Sequence, residues 1–149
     1  EFRRRVDAGD FLEYAHVHSN WYGTPRAEVE SLLARGLDAL LVIDVQGTAR
    51  IRSLLARPEG ATLRSALVDV FLVPPDLESL RERLQGRGTD SDETIRLRLR
   101  NATEELARWT EYRYLVVNDR VEAAAERLWA ILLAEHARIQ SPSSGDPLS

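Results

Sequence analysis

The chain has 149 residues, a net charge of -4 from 20 basic and 24 acidic side chains, 44% hydrophobic residues and no Cys. Every basic residue is Arg, so these residues contain no GxxxxGK[ST] phosphate loop, and the lack of Cys excludes a disulfide framework and a thiolate zinc site. The mildly acidic balance argues against binding nucleic acid polymers, and no apolar run reaches the ~18 residues of a membrane span. There is no Met, and Glu1-Phe2-Arg3 resembles no signal peptide. The chain is therefore expected to begin inside a longer gene product, one suited to the reducing cytoplasm.

In chain order, Phe2 and Val6 stand four apart in a helix end over residues 1–9 that Gly9 stops. Phe11 to His18 alternates as a strand, ending at Ser19-Asn20. Thr24-Pro25 opens a helix with Val29, Leu32 and Leu33 on one face, closed by Gly36. Asp38 to Asp44 is a near-continuous apolar run, the pattern of a strand buried on both faces, and a helix over Thr48 to Leu55 follows. Leu67 to Val73 is a second buried strand, stopped by Pro74-Pro75. Asp76 caps a helix ending near Gly86, and Asp90 or Ser91 caps a long charged helix to about Trp109. Tyr114 to Asn118 is a third buried strand, Val121 to Ile139 an amphipathic helix, and Ser141 to Ser149 a Ser/Pro/Gly-rich disordered tail. Buried strands alternating with helices predict a parallel α/β sheet with ligands beyond the strand C-terminal ends. An acidic residue at such a strand tip, Asp44, is costly unless it faces a ligand, metal or partner.

Chemistry concentrates in two places. Glu13 and the Tyr22-Gly23-Thr24 segment lie across one turn, and a carboxylate beside a hydroxyl complements guanine, whose N1–H and N2 amine donate while O6 accepts. Adenine presents an acceptor at N1, so the same pair rejects it. Taken alone, Glu13 also reads as a solvated strand residue. The second place is arginine-rich: Arg83 and Arg87 are a helical turn apart, with Arg96, Arg98 and Arg100 beyond. Their planar forks suit phosphate oxygens, although the interleaved acids equally describe a solvated helix face. His16 and His18 share a strand face without an evident third metal ligand. Trp21, Trp109 and Trp129 read as packing residues.

Taken together, Phe11-Leu12-Glu13-Tyr14-Ala15, Asn20 with Tyr22 to Arg26, Ile43-Asp44-Val45-Gln46-Gly47, Pro74-Pro75, Arg83 to Asp90, Ile95 with Arg98-Leu99, and Val116-Val117-Asn118-Asp119 resemble guanylate kinase, in family order over about residues 1–138. The resemblance implies an α/β P-loop nucleoside monophosphate kinase fold with a parallel sheet flanked by helices. Its parts are a GMP-binding lobe (about 1–36), a core (about 37–86 and 112–138) and a helical lid (about 87–111), with the N-terminal P-loop strand and helix lying upstream of Glu1. It implies transfer of the γ-phosphoryl group of ATP to GMP with Mg²⁺ in purine nucleotide metabolism. Glu13 and Thr24 match positions that read guanine, Tyr22 one that holds the GMP phosphate, and Asp44 the acid near GMP and the metal. Arg83, Arg87 and Arg98 match the lid arginines that close over the transferring group, Arg87 also facing ATP, and Asn118 matches the position beside the adenine of ATP.

Two departures stand out. Val42 occupies a usually acidic position two before Asp44, and Leu55 to Ser65 is longer than the usual loop, a surface insertion of low cost. The alternatives are a non-catalytic GMP- or protein-binding module and a kinase for another small phosphorylated acceptor. A parallel sheet without its P-loop strand is expected to expose an aggregation-prone edge.

Overall fold

The computed structural model describes residues 1–17, 20–86 and 91–138, and the chain divides into two compact units, residues 1–67 and 68–149. The predicted disordered tail lies outside the described residues.

The first unit contains α1 (Phe2–Asp7), β1 (Phe11–Val17), β2 (Asn20–Pro25), α2 (Arg26–Ala34), α3 (Val45–Leu55), a 3-10 turn (Pro58–Gly60) and α4 (Ala61–Arg64). Gly9 and Gly36 end α1 and α2 at φ +76° and +72°, a conformation that a side chain disfavours. β1 and β2 pair as an antiparallel hairpin, with Glu13 opposite Thr24, Ala15 opposite Tyr22 and His16 opposite Trp21. The second strand of this hairpin is not evident in the sequence, because Gly23 and Pro25 read as turn residues. Gly23 serves packing instead: a Cβ there would come within 2.8 Å of the Phe11 ring.

Register shifts between Phe11 and Glu13, and both Leu12 and Glu13 are buried. Such a bulge re-aims side chains, so two consecutive strand residues can leave solvent. Leu12, Val29, Ile51, Leu55 and Leu63 form the core, with Leu33, Ala39, Leu41, Ile43, Leu54 and Leu67 packed against it. Arg50 pins α3 to β1: its guanidinium sits over the Tyr14 ring at 5.1 Å and donates to the Tyr14 carbonyl.

Two expectations for this unit are corrected. Asp38 to Asp44 is not a strand buried on both faces: it forms no ladder, and Leu40 and Val42 are 85% and 93% exposed while Ala39, Leu41 and Ile43 pack on the core. Burial of the second face requires neighbouring strands, and the first unit's sheet has only β1 and β2 among the described residues. Nor is Leu55 to Ser65 merely a surface insertion of low cost. It folds into the 3-10 turn and α4, sends Leu63 into the core, and is tied down by Arg64 Nε on the Leu55 carbonyl (2.6 Å) and Arg26 Nη2 on the Glu59 carbonyl (2.6 Å).

The second unit contains β3 (Val70–Val73), α5 (Leu77–Gly86), α6 (Asp92–Leu106), a 3-10 turn (Trp109–Glu111), β4 (Tyr114–Val117) and α7 (Val121–His136). β3 and β4 pair in parallel from Val70 with Tyr114 to Val73 with Val117, so the connection between them carries α5 and α6. Asp76 Oδ1 accepts the Ser79 N–H (2.6 Å) and Ser91 Oγ that of Thr94 (3.3 Å), the predicted caps; Asp90 lies outside the described residues. The strands are buried less than their apolar runs suggest. Phe71, Val73 and Val116 are inside, whereas Leu72, Leu115 and Val117 are exposed.

Trp109 and Trp129 are also exposed rather than packed, Trp129 by 61%, and Trp21 is half-exposed but lies tilted against the Phe2 and His16 rings. Among the described residues no helix is long and apolar enough to cross a membrane.

α7 is fastened to β4 by one polar cluster. Tyr114 donates its hydroxyl to Glu135 Oε1 (2.7 Å), and Arg113 and Arg138 flank Oε2 at 3.3 and 3.1 Å. The Tyr114 hydroxyl, then Arg138 and Arg113, hold the Glu135 carboxyl below the usual range against the opposing effect of burial. The same hydrogen bond and burial push Tyr114 up. The depressed carboxyl stabilises the fold above its unfolded pKa, and this is lost as pH falls through the folded value. The raised phenol stabilises below its unfolded pKa, and this is lost as pH rises through the folded value. Tyr114→Phe is therefore expected to flatten both limbs of the urea-midpoint profile against pH. Unchanged limbs would rule out the pair as their source.

Candidate functional site

In the first unit two of the candidates, Glu13 and Thr24, come into contact. Cross-strand pairing brings Thr24 opposite Glu13, and the Thr24 hydroxyl donates to Glu13 Oε1 at 2.7 Å. Glu13 is only 9% exposed, so its carboxylate does not lie on the solvated face that a lone strand carboxylate would occupy. Glu13 Oε2 points towards α3, where it lies 3.3 Å from the place a Gly47 Cβ would take. Tyr22, opposite Ala15, is 57% exposed and its phenol is accessible.

Asp44 stands at the N-terminus of α3 in extended backbone, and its Oδ1 accepts the Gly47 N–H at 2.7 Å while its carbonyl accepts from Thr48 N and Oγ1. Its position at the end of an apolar run is thus explained first by helix capping, a role the sequence reading did not assign. Among the described residues no group of three His, Cys, Asp or Glu side chains could hold a metal ion by itself.

The second unit carries the remaining candidates. Asn118 follows β4; its N–H donates to the Val73 carbonyl at 2.7 Å, and its Oδ1 is buried with no hydrogen-bond partner among the described residues. An orphaned buried acceptor of this kind is costly and marks a place where a donor fits. Arg83 on α5 donates to the Asn118 and Asp119 carbonyls at 2.8 and 3.3 Å. Arg127 on α7, which sequence reasoning missed, donates to the Val117 carbonyl (2.6 Å) and to Asp119 Oδ1 (3.0 Å). The Asp119 carboxyl is held below the usual range first by the Arg120 N–H and then by Arg127.

Two guanidinium groups therefore grip the backbone around Asn118 and orient it. Only the Asp119-Arg120 polarity adjoining a buried strand hinted at this. Arg98 lies on α6, within Asp92–Leu106. Arg87 lies outside the described residues, as does His18.

The guanylate kinase family model matches residues 1–135. The chain is 47% identical to a guanylate kinase of Streptococcus agalactiae over 139 residues, which is 93% of this chain and 62% of that relative. It is 45% identical to one of Hahella chejuensis over 139 residues, with the same two coverages. The crystal structure of guanylate kinase from Anaplasma phagocytophilum superposes with a TM-score of 0.70 at 32% identity, covering 92% of this chain and 62% of that one. The chain thus spans about three-fifths of the length of the relatives it matches. Sequence and fold agree over both units, from the hairpin that carries Glu13 to the strand that precedes Asn118, and the chain belongs to the guanylate kinase family.

Proposed function

We propose that this chain supplies the acceptor site and the arginine-bearing part of a guanylate kinase, which transfers the γ-phosphoryl group of ATP to GMP to give GDP and ADP in cytoplasmic purine nucleotide metabolism. The observation that carries this reading is the buried Glu13 carboxylate with the Thr24 hydroxyl at 2.7 Å. Without ligand, Thr24 spends its one proton on Glu13. Guanine's N1–H and N2 amine can replace that proton on the carboxylate and release the hydroxyl to donate to O6. The exchange leaves no buried group unpaired, whereas adenine would set its N1 lone pair against the carboxylate.

Tyr22 offers its phenol to the GMP phosphate. Asp44 Oδ2 is a single hard oxygen donor. That fits Mg²⁺, an ion commonly held by one or two carboxylates together with substrate phosphates, and fits poorly with a metal needing a full protein cage. When bound, the ion would neutralise phosphate charge. Arg87 and Arg98 supply further charge neutralisation, Arg83 orients the Asn118 segment, and the Asn118 acceptor suits the exocyclic amine of adenine in ATP. Catalysis in this class rests on positioning and electrostatics, with no covalent enzyme intermediate required.

A second reading, a GMP-binding module without transfer, is favoured by the structural engagement of one GMP- and metal-site candidate and one catalytic candidate: Asp44 caps a helix and Arg83 holds backbone carbonyls. ADP release from ATP, measured in the protein carrying this chain, separates the two. GMP-dependent release supports the kinase, GMP binding without release supports the module, and the absence of both rejects each reading.

A further inference from the structure

We infer that Gly47 sets base specificity: its missing side chain gives the Glu13 carboxylate the room in which to meet guanine, an inference that rests on the guanine-reading role proposed for Glu13. Gly47 is buried in the first turn of α3. Its backbone does not demand glycine, because only Gly9 and Gly36 adopt positive φ among the described residues. Nor does helix propensity, since alanine is the better helix former. The remaining reason is space.

A Cβ on residue 47 would lie 3.3 Å from Glu13 Oε2, 3.3 Å from Ile43 Cβ and 3.4 Å from Asp44 Oδ1. The first two contacts are tighter than ordinary van der Waals separation, so a neighbour must yield by a few tenths of an ångström. Ile43 Cβ is fixed to backbone whose side chain packs on the core, and Asp44 Oδ1 is held by the Gly47 N–H at 2.7 Å. Glu13 Oε2 ends a side chain with three rotatable bonds and is the atom that yields most readily.

Displacing it turns the carboxylate away from its bond to Thr24 and away from the plane in which guanine's two donors must be met together. Position 47 therefore acts through Glu13 on the choice of base, while the fold keeps its cap and core.

The test is a double-mutant cycle on the 149-residue chain, titrated calorimetrically with GMP and with IMP, which lacks the N2 amine. In the wild-type background Gly47→Ala is expected to weaken GMP by about tenfold and to narrow the GMP-to-IMP ratio, with no loss in thermal midpoint. In a Glu13→Ala background the same substitution changes GMP affinity by less than about twofold, because the group it displaces is gone. GMP affinity unchanged by Gly47→Ala, or an equal fall in both backgrounds, overturns the inference. A wild-type chain that does not distinguish GMP from AMP would instead reject the proposed function itself. Wild-type preference for GMP with an inert Gly47→Ala rejects only the role of Gly47.

Discussion

Glu13→Ala is expected to lower the affinity of the chain for GMP by about two orders of magnitude and to leave AMP where it was. Glu13 is nine-tenths buried, and in the proposed site its two oxygens would be the acceptors for guanine's N1–H and N2 amine. Losing it would leave two donors of a bound guanine without their acceptor, and each charge-assisted hydrogen bond is worth roughly 1.5–3 kcal/mol. Glu13→Gln separates charge from shape. It keeps the volume and one acceptor but turns an amine towards the guanine donors, so its GMP affinity should fall nearly as far as that of Glu13→Ala. If Glu13→Gln binds GMP like the wild type, the carboxylate is not the base reader. The Thr24 hydroxyl separates the two variants further, since its bond to residue 13 is lost in Glu13→Ala, whereas the Gln amide oxygen can still accept it.

The largest effect on stability is expected at Gly60. A Cβ there would fall 2.4 Å from Leu55 Cα, 2.7 Å from the Leu54 carbonyl oxygen and 2.9 Å from the Leu55 carbonyl carbon. All three are backbone atoms, so no rotamer change relieves the clash, and the 3-10 turn must move off the C-terminus of α3. That movement withdraws Leu63 from the core and loosens the Arg64 bonds to the Leu55 and Arg57 carbonyls. Overpacking of this kind costs about 3 kcal/mol, which lowers Tm by roughly 6–12 °C in a chain of this size. Scanning calorimetry of Gly60→Ala checks it. An unchanged midpoint would mean that the segment from Leu55 to Ser65 is the loose surface insertion its length suggests.

Much of this arrangement is legible in the chain itself, for physical reasons that differ between elements. Gly9, Gly36, Asp76 and Ser91 mark helix ends by local chemistry, which needs no tertiary partner, and they hold in the structure. Glu13 and Thr24 are readable because a carboxylate and a hydroxyl eleven residues apart across a turn have few other ways to meet. β2 is obscured because its Gly23 is chosen for the Phe11 ring beside it, a contact distant in sequence.

The exposure of Leu40 and Val42 is invisible for the opposite reason: an apolar run states what a segment can bury, whereas burial itself depends on the strands placed next to it. Arginine behaves in the same way. Composition identifies Arg83 as a phosphate-competent fork, and only the fold reveals that its Nη2 is spent on the carbonyls of Asn118 and Asp119. Arg127 carries no motif at all, and its role emerges only where α7 runs past the end of β4.

Leu40 and Val42 in the first unit, and Leu72, Leu115 and Val117 on β3 and β4 in the second, are exposed apolar side chains that favour association. Handling the chain at low concentration therefore matters for any binding experiment.

The most direct measurement is a calorimetric titration of the 149-residue chain with GMP and, in parallel, with AMP. A single GMP site and at least a tenfold preference over AMP are expected, because in the proposed site only guanine can exchange its donors for the Thr24 proton on Glu13. Equal affinity for the two nucleotides, or no binding of GMP by a folded chain, would contradict it.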